Sequence, residues 1–388
     1  MSTQPDPTPP SATAPQPGEP RPTPLRAVHE RLGATMTGFA GWLMPLRYGS
    51  EIAEHRAVRS AAGLFDLSHM GEIIVRGPGA AEALDYALTG HLSALKPGRA
   101  RYTMICQPDG GILDDLIVYR LGEDEFLVVA NAANTGVVAA AIGERASGYT
   151  AGVEDKTGDY ALIAIQGPHA ARILAPLADI PLDDVGYYAS HRAVVTGRAV
   201  LLARTGYTGE DGFELFTSPA DAEPVWTSLA EAGSADGLVP AGLAARDTLR
   251  LEAGMPLYGS ELGVEMTPFE AGLGRVVVFS KPGDFVGRAA LAARAQATPK
   301  HVLAGLISGT RRVPRHGYPV LWDSQPCGTI TSGAPSPTLG APIAMAYLDP
   351  DTARQAAEET TPGRLAVDIR GSAEPAQITS LPFYRRPR

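Results

Sequence analysis

The stretches Glu72-Ile73-Ile74-Val75-Arg76-Gly77-Pro78-Gly79 and Leu162-Ile163-Ala164-Ile165-Gln166-Gly167-Pro168 repeat one grammar 90 residues apart. In each, an apolar run of strand character ends at Gly-Pro and gives way to a helical pattern, Ala80 to Leu88 in the first and Ala170 to Leu174 in the second. Glycine permits the tight turn, and proline's fixed φ suits a helix start. The spacing therefore predicts two α+β units in tandem. No third glycine follows Gly77-x-Gly79 in register, which argues against a dinucleotide-binding turn.

Between the two signatures lies Gly110-Gly111-Ile112-Leu113-Asp114-Asp115-Leu116-Ile117-Val118-Tyr119, two adjacent carboxylates in an otherwise apolar strand. Burying an unpaired ionised carboxylate costs roughly several kcal/mol. Strand alternation puts Asp114 with Leu116 and Val118, and Asp115 with Ile117 and Tyr119 on the other face. One acid can then serve structure while the other faces a cavity; the competing reading is an edge strand with both acids wet or paired. The segment pairs with Phe126–Ala130 as a hairpin ending at Asn131, and Val200–Arg204 pairs with Phe213–Phe216 across the glycine-rich loop 206–212. Glu214 sits in the latter, either in a cavity or facing solvent. Helices are expected near Ala220–Ala232 and Leu243–Ala253, the second stopped by Gly254.

After Lys281-Pro282-Gly283 the periodicity changes to short strands at 301–308, 319–323, 328–331, 343–348 and 364–369, the pattern of a small β-barrel. Upstream, nine of the first 24 residues are proline. That composition predicts a disordered tail at 1–24, neither signal peptide nor transit sequence, with folding beginning near Leu25.

A net charge of -9 and a pI near 5.4 argue against nucleic acid as a partner, since phosphate binding needs clustered cations. No apolar run is long enough to span a membrane. Cys106 and Cys327 are the only cysteines and form no C-x-x-C pair, which excludes a disulfide framework and a thiolate metal site and fits a cytoplasmic protein. No H-E-x-x-H, no phosphate-cradling G-x-x-x-x-G-K-[ST] and no G-x-S-x-G elbow occurs, so no metal site is expected. His69 is expected to be a hydrogen-bonded core or capping residue. The chemistry then rests on isolated charges in apolar surroundings: Asp115, Glu214 and Arg246.

Phe39-Ala40-Gly41-Trp42, Phe65-Asp66-Leu67-Ser68-His69-Met70, the Gly110–Asp115 block, Arg204-Thr205-Gly206-Tyr207-Thr208-Gly209-Glu210-Asp211-Gly212, Gly242-Leu243-Ala244-Ala245-Arg246-Asp247 and Leu249-Arg250-Leu251-Glu252-Ala253-Gly254 occur in that order. From Leu25 onward the chain resembles the aminomethyltransferase family, the T-protein of the glycine cleavage system. The resemblance implies an α+β three-domain ring: 25–71 with 155–280, 72–154, and a barrel at 285–388. It implies tetrahydrofolate as co-substrate and the lipoylated H-protein as partner, with the methylene of an aminomethyl-lipoyl group passing to the folate and ammonia leaving. By resemblance Asp115 is the catalytic carboxylate and Asp114 its structural neighbour. Glu214 reads the pterin edge, and Arg246, Tyr207, Asn131, Tyr102, Met70 and Tyr384 contact folate. The chain departs from many relatives at Gly274–Phe279, where Arg275 and three valines stand in place of a tryptophan. Its Tyr384 also follows Pro382-Phe383 directly. A folate-binding module without turnover would carry Lys-Gly-Cys, which is lacking; a demethylase of another small donor is the further alternative.

Overall fold

The computed structural model describes residues 19–358 and 363–387. The two predicted units are there, and their sheets follow the same strand order apart from one inserted strand. The first unit forms a sheet ordered Ala100–Cys106, Ile112–Arg120, Glu125–Ala130, Gly71–Arg76, Gly152–Asp155, with helices Ala80–Ala87 and Thr135–Ala146. The second is ordered Ser190–Val195, Arg198–Ala203, Gly212–Thr217, Ala161–Gln166, Ala62–Asp66, Leu238–Pro240, with helices Ala170–Leu174 and Ala222–Gly233. One strand distinguishes them: Ala62–Asp66 is inserted between Ala161–Gln166 and Leu238–Pro240, whereas Gly152–Asp155 pairs directly with Gly71–Arg76.

Alternation sorts the side chains into three layers of core. Ile73, Val75, Leu116 and Val118 pack under the first unit's helices with Leu84 and Val138. Ile163, Ile165, Phe213 and Leu215 do the same under Ile173 and Trp226. The opposite faces meet each other through Ile74, Tyr119, Leu127, Leu162, Ala164 and Phe216. The sheets thus stack back to back with helices outside, which explains why their strands read as nearly continuous apolar runs. Both turn glycines are in the positive-φ region, Gly77 at +129° and Gly167 at +135°. A Cβ on either would lie 2.5 Å from a carbonyl oxygen, that of Thr150 or of Ala61, so both φ and space demand glycine.

The C-terminal region is a closed barrel ordered Val302–Ser308, Ala341–Leu348, Gln325–Ser336, Pro319–Trp322, Leu365–Ile369, Ser372–Thr379. Its last strand went unread because Ser372–Thr379 carries small and polar residues with a proline in place of a β-branched run. Helix Leu243–Glu252, stopped by Gly254 at φ +67°, ties the barrel to the rest. Arg250 donates to Glu261 (2.9 Å) and to Ser332 (2.8 Å), and Glu252 accepts from Thr338 (2.8 Å) and pairs with Arg59 (2.9 Å).

The expected tail needs correction where it can be seen. Residues 1–18 lie outside the described residues, but the segment 19–24 is docked. Arg21–Pro22 pairs in parallel with Trp42–Leu43, and the Arg21 guanidinium stacks 4.2 Å from the Trp42 ring. The buried Thr23 hydroxyl donates to Asp66 at 2.6 Å. Backbone pairing and one satisfied hydroxyl anchor a segment too polar to declare itself by apolar content.

Candidate active site

A cavity of about 870 Å³ opens where the two sheets, the Thr35–Phe39 strand and the barrel converge. Its wall includes Asp115, Glu214, Arg246, Tyr207, Asn131, Tyr102 and Met70. Residues far apart in sequence, from Met70 to Arg246, are thereby brought to one space. Tyr384 does not join them. Its ring stacks 4.0 Å from the Arg59 guanidinium and its hydroxyl faces Glu210, because the backbone directly after Pro382-Phe383 is held to the Glu252 carbonyl (2.8 Å).

The adjacent aspartates part as alternation requires. Asp114 is fully buried and accepts three N–H bonds: from the Asn131 backbone (3.0 Å), the Asn131 amide (2.8 Å) and the Asn134 amide (2.8 Å). Asp115 looks into the cavity, where Oδ2 accepts from the Tyr102 hydroxyl (3.0 Å) and Oδ1 from the Asn131 amide (2.8 Å). One amide group thus bridges two carboxylates. Burial, then the charge of Asp115, pushes Asp114 up to about 7; burial likewise raises Asp115 against the hydrogen bonds from Tyr102 and Asn131. Two like charges this close share their titration, so the second proton of the pair leaves only near neutrality.

Glu214 is 8% exposed and belongs to the cavity, not to solvent. Its Oε2 accepts from the Thr205 hydroxyl and from Tyr119 at 3.3 Å, and Tyr119 also meets Thr205 at 2.8 Å. Oε1 has no partner among the described residues. Burial raises the Glu214 carboxyl, opposed by Thr205 and by the Arg246 charge. Arg246 makes no ion pair among the described residues: Asp247 is taken by Arg250 and Glu252 by His55 and Arg59. Its guanidinium lies 4.7 Å over the Tyr207 ring, whose hydroxyl is fixed to the Pro256 carbonyl (2.5 Å). A carboxylate with a bare oxygen and a cation without an anion are prepared for a ligand bearing both donors and acceptors.

Several contributors escaped the sequence reading. Tyr119 was placed on the face of Asp115 by alternation, yet its service to Glu214 depends on the stacking of the sheets. Thr205, quoted only as part of the Arg204–Gly212 block, and Asn134, at the end of the short helical turn Ala132–Asn134, gave no signal of their own. Gly206 lines the cavity, and Gly206 and Gly212 both make room for Gln166, whose amide donates to the Thr205 carbonyl (3.1 Å). Leu273 and no aromatic of the divergent 274–279 segment reaches the wall. Arg315 and His316 stand exposed at the mouth. No group of metal-binding side chains occurs among the described residues.

The fold is an α+β sandwich of two like units, closed by a barrel over a cavity lined by opposed charges. The "GCVT N-terminal domain" model matches residues 25–281 and the "Glycine cleavage T-protein C-terminal barrel domain" model matches 302–385; the chain belongs to the glycine cleavage T-protein family. Aminomethyltransferases of Saccharopolyspora erythraea and Streptomyces avermitilis are each 63% identical, over 95% of this chain and 99% and 98% of their own. The crystal structure of glycine cleavage system aminomethyltransferase T from Bartonella henselae superposes with a TM-score of 0.87 at 35% identity, covering 95% of this chain and 99% of that one.

Proposed function

We propose that the cavity binds tetrahydrofolate, with Glu214 and Arg246 reading the pterin and Asp115 acting at the reacting centre. The activity it serves is that of an aminomethyltransferase of the glycine cleavage system, which family membership and identity along the whole chain establish. The observation that carries the ligand reading is the bare Glu214 Oε1 beside the unpaired Arg246. The bare oxygen offers its lone pairs to the N–H donors of a 2-amino and N3 edge. Tetrahydrofolate supplies the amine nucleophile that takes the methylene.

Among the described residues, Asp115 is the only cavity carboxylate with both oxygens already held. Tyr102 and the Asn131 amide fix its orientation, so it meets developing positive charge without reorganising. Its raised carboxyl also suits it to hold a proton removed from the attacking amine. Asp114, turned away from the cavity, keeps Asn131 in place. Tyr207 provides a flat surface under Arg246, and Met70 an apolar wall. We assign the donor to the lipoylated H-protein, whose arm enters past Phe39, Arg315 and His316. Arg315 thus belongs to the mouth, while Arg312 is paired with Glu374 at 3.0 Å.

Neither cysteine offers a reactive thiol: burial pushes Cys106 up to about 12 and Cys327 up to about 11. This supports turnover at the carboxylate. A cytoplasmic location fits the free thiols, and no helix among the described residues is long and apolar enough to cross a membrane. The test is ammonia release from aminomethyl-loaded H-protein. Release accelerated by added tetrahydrofolate is expected; release indifferent to folate would overturn the reading.

A further inference from the structure

His69 was expected to be a hydrogen-bonded core or capping histidine, and the structure gives it no hydrogen-bond partner among the described residues. It is 2% exposed and lines the cavity. Neither ring nitrogen makes a hydrogen bond among the described residues. Nδ1 is enclosed and orphaned, and Nε2 is the nitrogen that is not enclosed. The Phe39 ring abuts the imidazole edge-on, with centroids 5.6 Å apart and planes at 77°.

The protonation state follows from the surroundings. Burial, then the nearby Arg246 charge, pushes the imidazole down to about 4, so it is neutral at physiological pH and carries one N–H. A buried N–H without an acceptor is rarer than a buried acceptor without a donor. The proton therefore belongs on Nε2, and Nδ1 keeps an idle lone pair.

We infer that His69 presents its Nε2–H to the cavity as a donor for an acceptor oxygen of the bound ligand, beside the Arg246 guanidinium. Glu214 offers acceptors to the ligand, and Arg246 with His69 offers donors. The wall so divided distinguishes a ligand with a carbonyl next to an N–H edge from one carrying only donors. The inference rests on the folate reading above, and it adds a recognition residue to it.

The test is calorimetric titration of tetrahydrofolate into wild type, His69→Phe and His69→Gln, each first checked for an unchanged melting transition. Losing one neutral hydrogen bond in an enclosed site weakens binding by roughly tenfold. We expect that loss in His69→Phe and its recovery to within about threefold in His69→Gln, whose amide N–H replaces Nε2–H. A tailless tetrahydropterin repeats the comparison. A loss of the same size locates the acceptor on the pterin carbonyl, and a loss confined to tetrahydrofolate locates it on the tail; both support the donor role. Wild type that binds tetrahydrofolate alongside an equally tight His69→Phe overturns the inference alone. Wild type that fails to bind at all overturns the folate reading with it.

Discussion

The two α+β units each send one carboxylate into the same cavity, and they prepare it differently. In the first unit Asp115 has both oxygens engaged, by Tyr102 and Asn131, with the Asp114 carboxyl behind it and no cation paired to it among the described residues. In the second unit Glu214 has one oxygen engaged by hydroxyls, the other bare, and the Arg246 charge nearby. A fully held acid suits chemistry, because its geometry is set before the ligand arrives. A half-held acid suits recognition, since its remaining lone pairs are satisfied only by the right ligand. One architecture, repeated, prepares two acids differently through what surrounds each, and the proposed roles divide along that difference.

The division can be broken most sharply at Asp115. Asp115→Asn should lower turnover by roughly 10²–10⁴-fold, the range for a positioned acid–base group, as ammonia-release assays would register. Near wild-type turnover would remove the residue from the chemistry. The second unit predicts a smaller effect of a different kind. Glu214→Gln sets an amide N–H against a ligand N–H, an opposition worth about 1–3 kcal/mol, so tetrahydrofolate affinity should fall about tenfold or more. Unchanged affinity by calorimetry would return Glu214 to a structural role.

Asp114 sharpens the contrast from behind. Its carboxyl is raised to about 7 in the folded chain, so between pH 4 and 7 the native state binds more protons than the unfolded one. Stability should therefore decline as pH rises through that window and level off above it. Denaturant midpoints measured from pH 4 to 8 should show a shallower decline for Asp114→Asn than for wild type; identical slopes would assign the effect elsewhere. The smallest effect is expected at Tyr384, outside the cavity. Tyr384→Phe should change the KM for tetrahydrofolate by less than about twofold, and a tenfold rise would show that the C-terminus folds into the site.

Much of this was legible because it depends on period. The Gly-Pro signatures located both units, and alternation along Ile112–Arg120 was enough to assign Asp114 and Asp115 to opposite faces. Resemblance supplied the cavity residues, seven of which converge. What stayed hidden depends on distant contacts. Thr205 and Tyr119 come together at Glu214 only when the sheets stack, and the lack of a hydrogen-bond partner for His69 among the described residues shows only in the folded cavity. The docked segment 19–24 was hidden for a related reason, its anchor being the buried Asp66, 43 residues from Thr23. Tyr384 shows the reverse failure, a motif match undone by a shorter approach of the chain.

The central claim is that Asp115 serves turnover and not affinity, while the opposite unit holds the ligand. Calorimetric titration of tetrahydrofolate into Asp115→Asn tests it directly, using a preparation already shown to have lost ammonia release. The account predicts a Kd within about threefold of wild type. A Kd weakened in step with turnover, by a hundredfold or more, would mean that Asp115 is itself a principal binding group and would contradict the division between the two units.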